Sequence, residues 1–101
     1  MRALLAAVIM SMVSAPLSAE TITVTIENMA FSPVKIDAKV GDTIEWVNKD
    51  IFDHTATVDG RWDVVVPVGK TGTLIVETAE IVDYFCRFHP NMKGKIIATA
   101  P

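Results

Sequence analysis

The sequence predicts an all-β sandwich of about eight strands. Three observations carry this. Apolar and polar residues alternate with a period of two in several short stretches. Turn residues punctuate those stretches at the roughly 8–12-residue spacing of sandwiches and barrels. No stretch holds an apolar period of 3.6 long enough for a helix, and there is no repeat or linker.

The first strand is Thr21–Glu27, a strict alternation in which Ile22, Val24 and Ile26 share one face. Val34, Ile36, Ala38 and Val40 repeat the period, and Gly41-Asp42 turns the chain. Ile44 and Trp46 face inward on the next strand with Glu45 outward, and Asn48-Lys49-Asp50 ends it. His54 opens a strand through Val58, closed by the hairpin signal Asp59-Gly60. Trp62–Val66 is extended, with no register legible in its apolar run. Pro67–Gly72 is rich in turn residues. Thr73–Glu77, Ile81–Cys86 and Lys95–Thr99 complete the set. In Val82-Asp83-Tyr84-Phe85-Cys86 the polar Asp83 marks the outer face. Val82, Tyr84 and Cys86 therefore point inward, and Phe85 outward.

Before these strands, Met1-Arg2 gives a positive start and Ala3–Val13 an apolar run too short to span a bilayer. The small residues of Ser14–Ala19 follow. This pattern predicts a secretory signal peptide over residues 1–19, cut after Ala19, and one domain over residues 20–101. Export places the domain in the periplasm. The whole chain carries a net charge of −3, which becomes −4 once Arg2 is removed. An acidic balance argues against nucleic-acid binding. Small exported domains are commonly stapled by disulfides or a metal. A single cysteine cannot form an internal disulfide, so a metal is the remaining staple.

The candidate ligands are Cys86, His89 and Met92 in Cys86-Arg87-Phe88-His89-Pro90-Asn91-Met92, with His54 upstream. The one cysteine and both histidines of the chain are used. Taken singly, these residues read as a buried thiol, a loop histidine and a packing methionine. Together they are the ligand set of a mononuclear copper electron-transfer site, with thiolate and two imidazoles in a plane and a thioether on the axis. Zinc would call for a fourth strong ligand. Three-residue steps suit a loop curling round one ion. Asn48 and Thr55 are expected to support the ligands. The Asn48 side chain would tie the His54 loop to the ligand loop or serve only the turn, and the Thr55 N–H would donate to the Cys86 sulfur. Phe52, Phe88 and Pro90 would rim His89, unless Phe88 folds inward, with Met29 packed nearby. Arg87, Lys93 and Lys95 bracket the loop, as a solvated face or as a field that steers a partner.

The stretches Met29-Ala30-Phe31-Ser32-Pro33, Val40 to Asn48, His54-Thr55 and Tyr84-Phe85-Cys86 resemble the cupredoxins, the small blue-copper family. Two residues between Cys and His and two between His and Met are similar to the amicyanin branch. The resemblance implies a Greek-key β-sandwich and a type 1 copper site held by His54, Cys86, His89 and Met92. Phe88 and Asn91 stand where amicyanin loops usually carry Pro and Phe, and Thr55 where many relatives have Asn. The sequence before the first strand is shorter than amicyanins typically have. The function expected is a monomeric periplasmic carrier of one electron, not an enzyme. Its partners would be redox proteins such as a c-type cytochrome or a periplasmic dehydrogenase. The alternative is a carrier that delivers copper to a cuproenzyme.

Overall fold

The computed structural model describes residues 19–101. The expected signal peptide lies, except for Ala19, outside the described residues. Among these residues there is no helix, and nine strands form two sheets. They are β1 (Thr21–Glu27), β2 (Ala30–Ser32), β3 (Lys35–Lys39), β4 (Thr43–Asn48), β5 (His54–Val58), β6 (Trp62–Val66), β7 (Thr71–Ile75), β8 (Ile81–Phe85) and β9 (Lys93–Thr99). One sheet runs in the order β2-β1-β4-β7 and the other β3-β9-β8-β5-β6. β1 pairs parallel with β4 and β3 parallel with β9, so the chain crosses between sheets rather than meandering.

The period of two decides which side chains fill the space between the sheets. Val24 and Ile26 of β1, Ile36 and Ala38 of β3, Ile44 and Trp46 of β4, Tyr84 of β8, and Ile96 and Ala98 of β9 are buried there. The Trp46 indole N–H donates to the Tyr84 hydroxyl at 3.2 Å, so the largest polar tips of the core satisfy one another. β6 is read more fully in three dimensions than in sequence. Trp62, Val64 and Val66 face inward, and Asp63 and Val65 outward.

Four details depart from the sequence reading. β2, at three residues, is too short to show a period, yet it pairs with β1 from Thr25–Ser32 to Glu27–Ala30. Val34 lies outside β3 and is exposed. β7 begins at Thr71, two residues before the expected start, and ends at Ile75. Its Gly72 is a strand residue opposite Trp46 rather than a turn residue. A Cβ there would lie 2.5 Å from Val64 Cγ1, so glycine is required by the close approach of β6. β9 likewise starts at Lys93. Its Gly94 sits opposite Tyr84, where a Cβ would collide with the tyrosine ring.

Candidate metal centre

His54 is the first residue of β5, and Cys86 follows the last residue of β8. Both are fully buried. The ligand loop is built from successive turns. The Cys86 carbonyl accepts from the His89 N–H at 3.2 Å, and the His89 carbonyl from the Met92 N–H at 2.9 Å. The Met92 carbonyl then accepts from the Cys86 N–H at 3.1 Å, closing the loop. Each backbone turn advances the chain by three residues. That is the physical basis of the spacing from Cys to His to Met: every third side chain returns to the same side of the loop.

The side chains converge. Cys86 Sγ lies 3.7 Å from His54 Nδ1 and 3.6 Å from His89 Nδ1, and the two Nδ1 atoms are 3.2 Å apart. Donors about 2.0 to 2.3 Å from a common ion, spread in a plane, span edges of about this length. Three lone-pair donors face one another in a buried place, which suits a cation. Met92 is buried beside them at the end of the same loop. A thiolate, two imidazoles and a thioether are the donors that copper prefers.

The Thr55 N–H donates to Cys86 Sγ at 3.3 Å, as expected from sequence. Of the two places expected for Asn48, it takes the one in the turn. Its Nδ2 donates to the Phe52 carbonyl at 2.8 Å and the Val66 carbonyl at 2.9 Å, and its Oδ1 accepts from the Asp50 N–H. It ties the His54 loop to the end of β6, not to the ligand loop. The reason is position: Asn48 is the last residue of β4, and its side chain reaches across to Val66 at the end of β6 in the other sheet.

Asp50 is the site residue that sequence reasoning missed. Its Oδ2 accepts from His54 Nε2 at 2.9 Å and from the Met29 N–H at 3.0 Å. With Nδ1 turned to the other donors, Nε2 carries the proton. The Met29 N–H, and after it His54, hold the Asp50 carboxyl below its ordinary value. Met29 itself is in the left-handed region with φ 59°, next to Asn28 at 53°, and its side chain, partly exposed, lines the same cleft as His89 and Met92.

At the surface, Phe52 and Phe88 are 47% and 49% exposed, and Pro90 is exposed beside them. The Phe52 ring centroid is 5.8 Å from that of the half-buried His89. Phe52 therefore flanks His89 as expected, while Phe88 is exposed with the Arg87 guanidinium 5.2 Å over its ring. The positive bracket is weaker than the sequence suggests. Arg87 is clasped by Asp63 through two 2.8 Å bonds, and Lys95 lies 3.7 Å from Asp83.

A family profile described as a cupredoxin-like domain matches residues 1–98. The chain is a cupredoxin. Amicyanin from Paracoccus versutus is 28% identical over 91 residues, covering 83% of this chain and 69% of that protein. Amicyanin from Paracoccus denitrificans is 32% identical over 83 residues, covering 75% of this chain and 63% of that protein. Among solved structures, an oxidised methionine-to-leucine variant of amicyanin superposes with a TM-score of 0.68 at 27% identity, covering 76% of this chain and 80% of the other. A reduced Cu(I) form at pH 4 of a proline-to-glycine variant of amicyanin gives 0.69 at 27% identity, covering 83% and 87%. Family membership brings with it the cupredoxin sandwich, a single copper ion and one-electron transfer.

Proposed function

We propose that this cupredoxin is an exported, periplasmic carrier that takes one electron from a redox protein and passes it to another, with His54, Cys86, His89 and Met92 as its copper ligands. Candidate partners are a c-type cytochrome or a periplasmic dehydrogenase. The observation that carries the reading is the triangle of Cys86 Sγ, His54 Nδ1 and His89 Nδ1, two of whose members are fully buried while the third reaches the surface.

Copper, when bound, supplies the centre that gains and loses the electron. The residues do the rest. Cys86, as thiolate, gives the strongest bond and comes from a rigid strand end. His54 is fixed from behind by Asp50, and Cys86 is fixed by the Thr55 N–H. Ligands held in one arrangement in both oxidation states keep the reorganisation on electron transfer small. His89, beside Phe52, offers the short route to a partner that docks on the apolar rim. No bond in a substrate is made or broken in this role. A carrier that hands copper on would need ligands that open, and burial of His54 and Cys86 favours retention instead.

Copper(II) added to the protein should give an intense blue thiolate charge-transfer band, lost in Cys86→Ser. A colourless complex refutes the reading. A blue complex that gives its copper quickly to a chelator would support delivery instead.

A further inference from the structure

On the outer face of β5, the side chains of Thr55 and Thr57 form part of a closed ring of hydrogen bonds. Thr57 sits opposite Asp63 of β6 in the ladder. The Thr57 hydroxyl donates to Asp63 Oδ1 at 2.6 Å. Thr55 Oγ1 and Thr57 Oγ1 are 2.9 Å apart. Thr55 Oγ1 accepts from the Arg87 backbone N–H at 2.8 Å. The Arg87 guanidinium returns to Asp63, with Nε on Oδ1 and Nη2 on Oδ2. Arg87 is the residue after Cys86, and Thr55 is the residue whose N–H meets Cys86 Sγ.

The donors in this ring can run in only one direction. A carboxylate only accepts, and a hydroxyl has one hydrogen to give. The Arg87 guanidinium, and after it the Thr57 hydroxyl, hold the Asp63 carboxyl below its ordinary value, so it is ionised at neutral pH. Thr57 therefore spends its hydrogen on Asp63 and must accept from Thr55. Thr55 in turn spends its hydrogen on Thr57 and presents its lone pairs to the Arg87 N–H. Thr55 and Thr57 are both buried, so water does not stand in for a missing partner. The backbone of Arg87 and that of Thr55 are thereby clamped together, with the Cys86 sulfur between them. As a surface ion pair, Arg87–Asp63 would add little to stability. Its place in this ring gives it a different use.

Resting on the copper reading above, we propose that Asp63 is a positioning residue for the copper thiolate, acting through Arg87, Thr57 and Thr55 to hold the Thr55 amide on Cys86 Sγ. A hydrogen bond to the thiolate draws electron density from it and favours Cu(I). Loosening the bond therefore lowers the reduction potential. Removing the Asp63 charge alone would do the opposite, since it takes a negative group away from the oxidised site, and that effect would fade with salt. The two roles have opposite signs.

The test compares Asp63→Asn and Thr57→Val with the unaltered protein. Asp63→Asn removes the charge that sets the direction, because an amide can itself donate to Thr57. Thr57→Val breaks the ring without changing charge. Copper-loaded, Thr57→Val should show a lower potential at low and at high salt, and Asp63→Asn a lower potential at high salt, where its charge effect is screened, each with a shifted blue band. Metal-free, both should exchange the Thr55 amide hydrogen about three- to tenfold faster by NMR, the range expected for losing one hydrogen bond's net stabilisation. Asp63→Glu should recover part of both effects. A potential in Asp63→Asn that is raised at low salt and returns at high salt only to that of the unaltered protein, an unchanged potential in Thr57→Val, or an unchanged Thr55 exchange rate in both variants, overturns the proposal. If the unaltered protein is not blue, the copper reading fails, and the metal-free exchange still decides whether Asp63 holds the amide.

Discussion

Asp50 shows how much of a metal site can rest on a residue that never meets the metal. It receives the Nε2–H of His54 and, through the same oxygen, the Met29 N–H, while its other oxygen takes the Ile51 N–H at 3.0 Å. A ligand imidazole held this way is both oriented and made more basic, and losing the partner typically costs about 10–100-fold in metal affinity. Asp50→Ala should weaken copper binding by about that factor in competition with a chelator. Asp50→Asn, which keeps an acceptor oxygen, should lose less. An unchanged affinity in Asp50→Ala would mean that burial alone holds the ring. The proposed ligands stood out in the sequence, because a lone Cys, a His and a Met at three-residue steps, with one further His upstream, suit few other chemistries. Asp50 was not, because Lys49-Asp50 is ordinary turn composition. Only the need of His54 for an acceptor behind its ring points to it. The engagement of Arg87 by Asp63 was hidden for a similar reason: partners 24 residues apart meet only once the strand register is known.

Among the elements, the strands with clean alternation were legible, and those shaped by close contact were not. β1 and β4 carry their inward faces openly, as Val24, Ile26, Ile44 and Trp46 show. β7 and β9 were misplaced by two residues at their starts because glycine reads as a breaker, while Gly72 and Gly94 are there to let a neighbour approach. Gly94 makes room for the Tyr84 ring, and Tyr84 in turn accepts from Trp46 Nε1 across the sandwich. The same ring stacks edge-on against Phe31 with centroids 4.8 Å apart. Burial pushes the Tyr84 phenol up to about 12, with the Trp46 N–H pulling the other way. Tyr84→Phe keeps the ring but leaves a buried indole N–H without its acceptor. It should cost about 1–3 kcal/mol in denaturant unfolding. The blue band should be retained, because Tyr84 touches the core and not the ligands. A neutral substitution would mean that the Trp46 N–H finds another acceptor.

At the scale of the whole molecule, acid acts on two sets of groups at different pH. The first set holds the fold. Asp42 accepts from the Glu20 N–H at 3.0 Å and the Lys39 N–H at 2.8 Å, tying the start of β1 to the turn before β4. Those two N–H groups hold its carboxyl below the ordinary value of 3.8. Arg61 does the same for Glu80, and Arg87 for Asp63. A carboxyl depressed in the folded state stabilises it above the ordinary carboxylate range, and that contribution is lost as pH falls through the depressed value. These contributions should therefore be complete above the ordinary carboxylate range and fade as pH falls through the depressed values. The second set is the ligands, where protons and metal compete for the same nitrogen. His54 is fully buried with Asp50 on its far nitrogen, whereas His89 is half-buried in a loop. Cu(I) accepts three ligands more readily than Cu(II). On acidification above the unfolding range, His89 should take a proton and leave the metal in the reduced protein, with His54 still bound. Protonation then stabilises the reduced state, so the potential should rise as pH falls, and electron exchange should slow because each cycle must move a ligand. NMR of both histidines in the reduced protein, with the potential measured over the same pH series, checks this. Release of His54 first, or a potential that stays flat until the protein unfolds, would show that exposure does not decide which imidazole lets go.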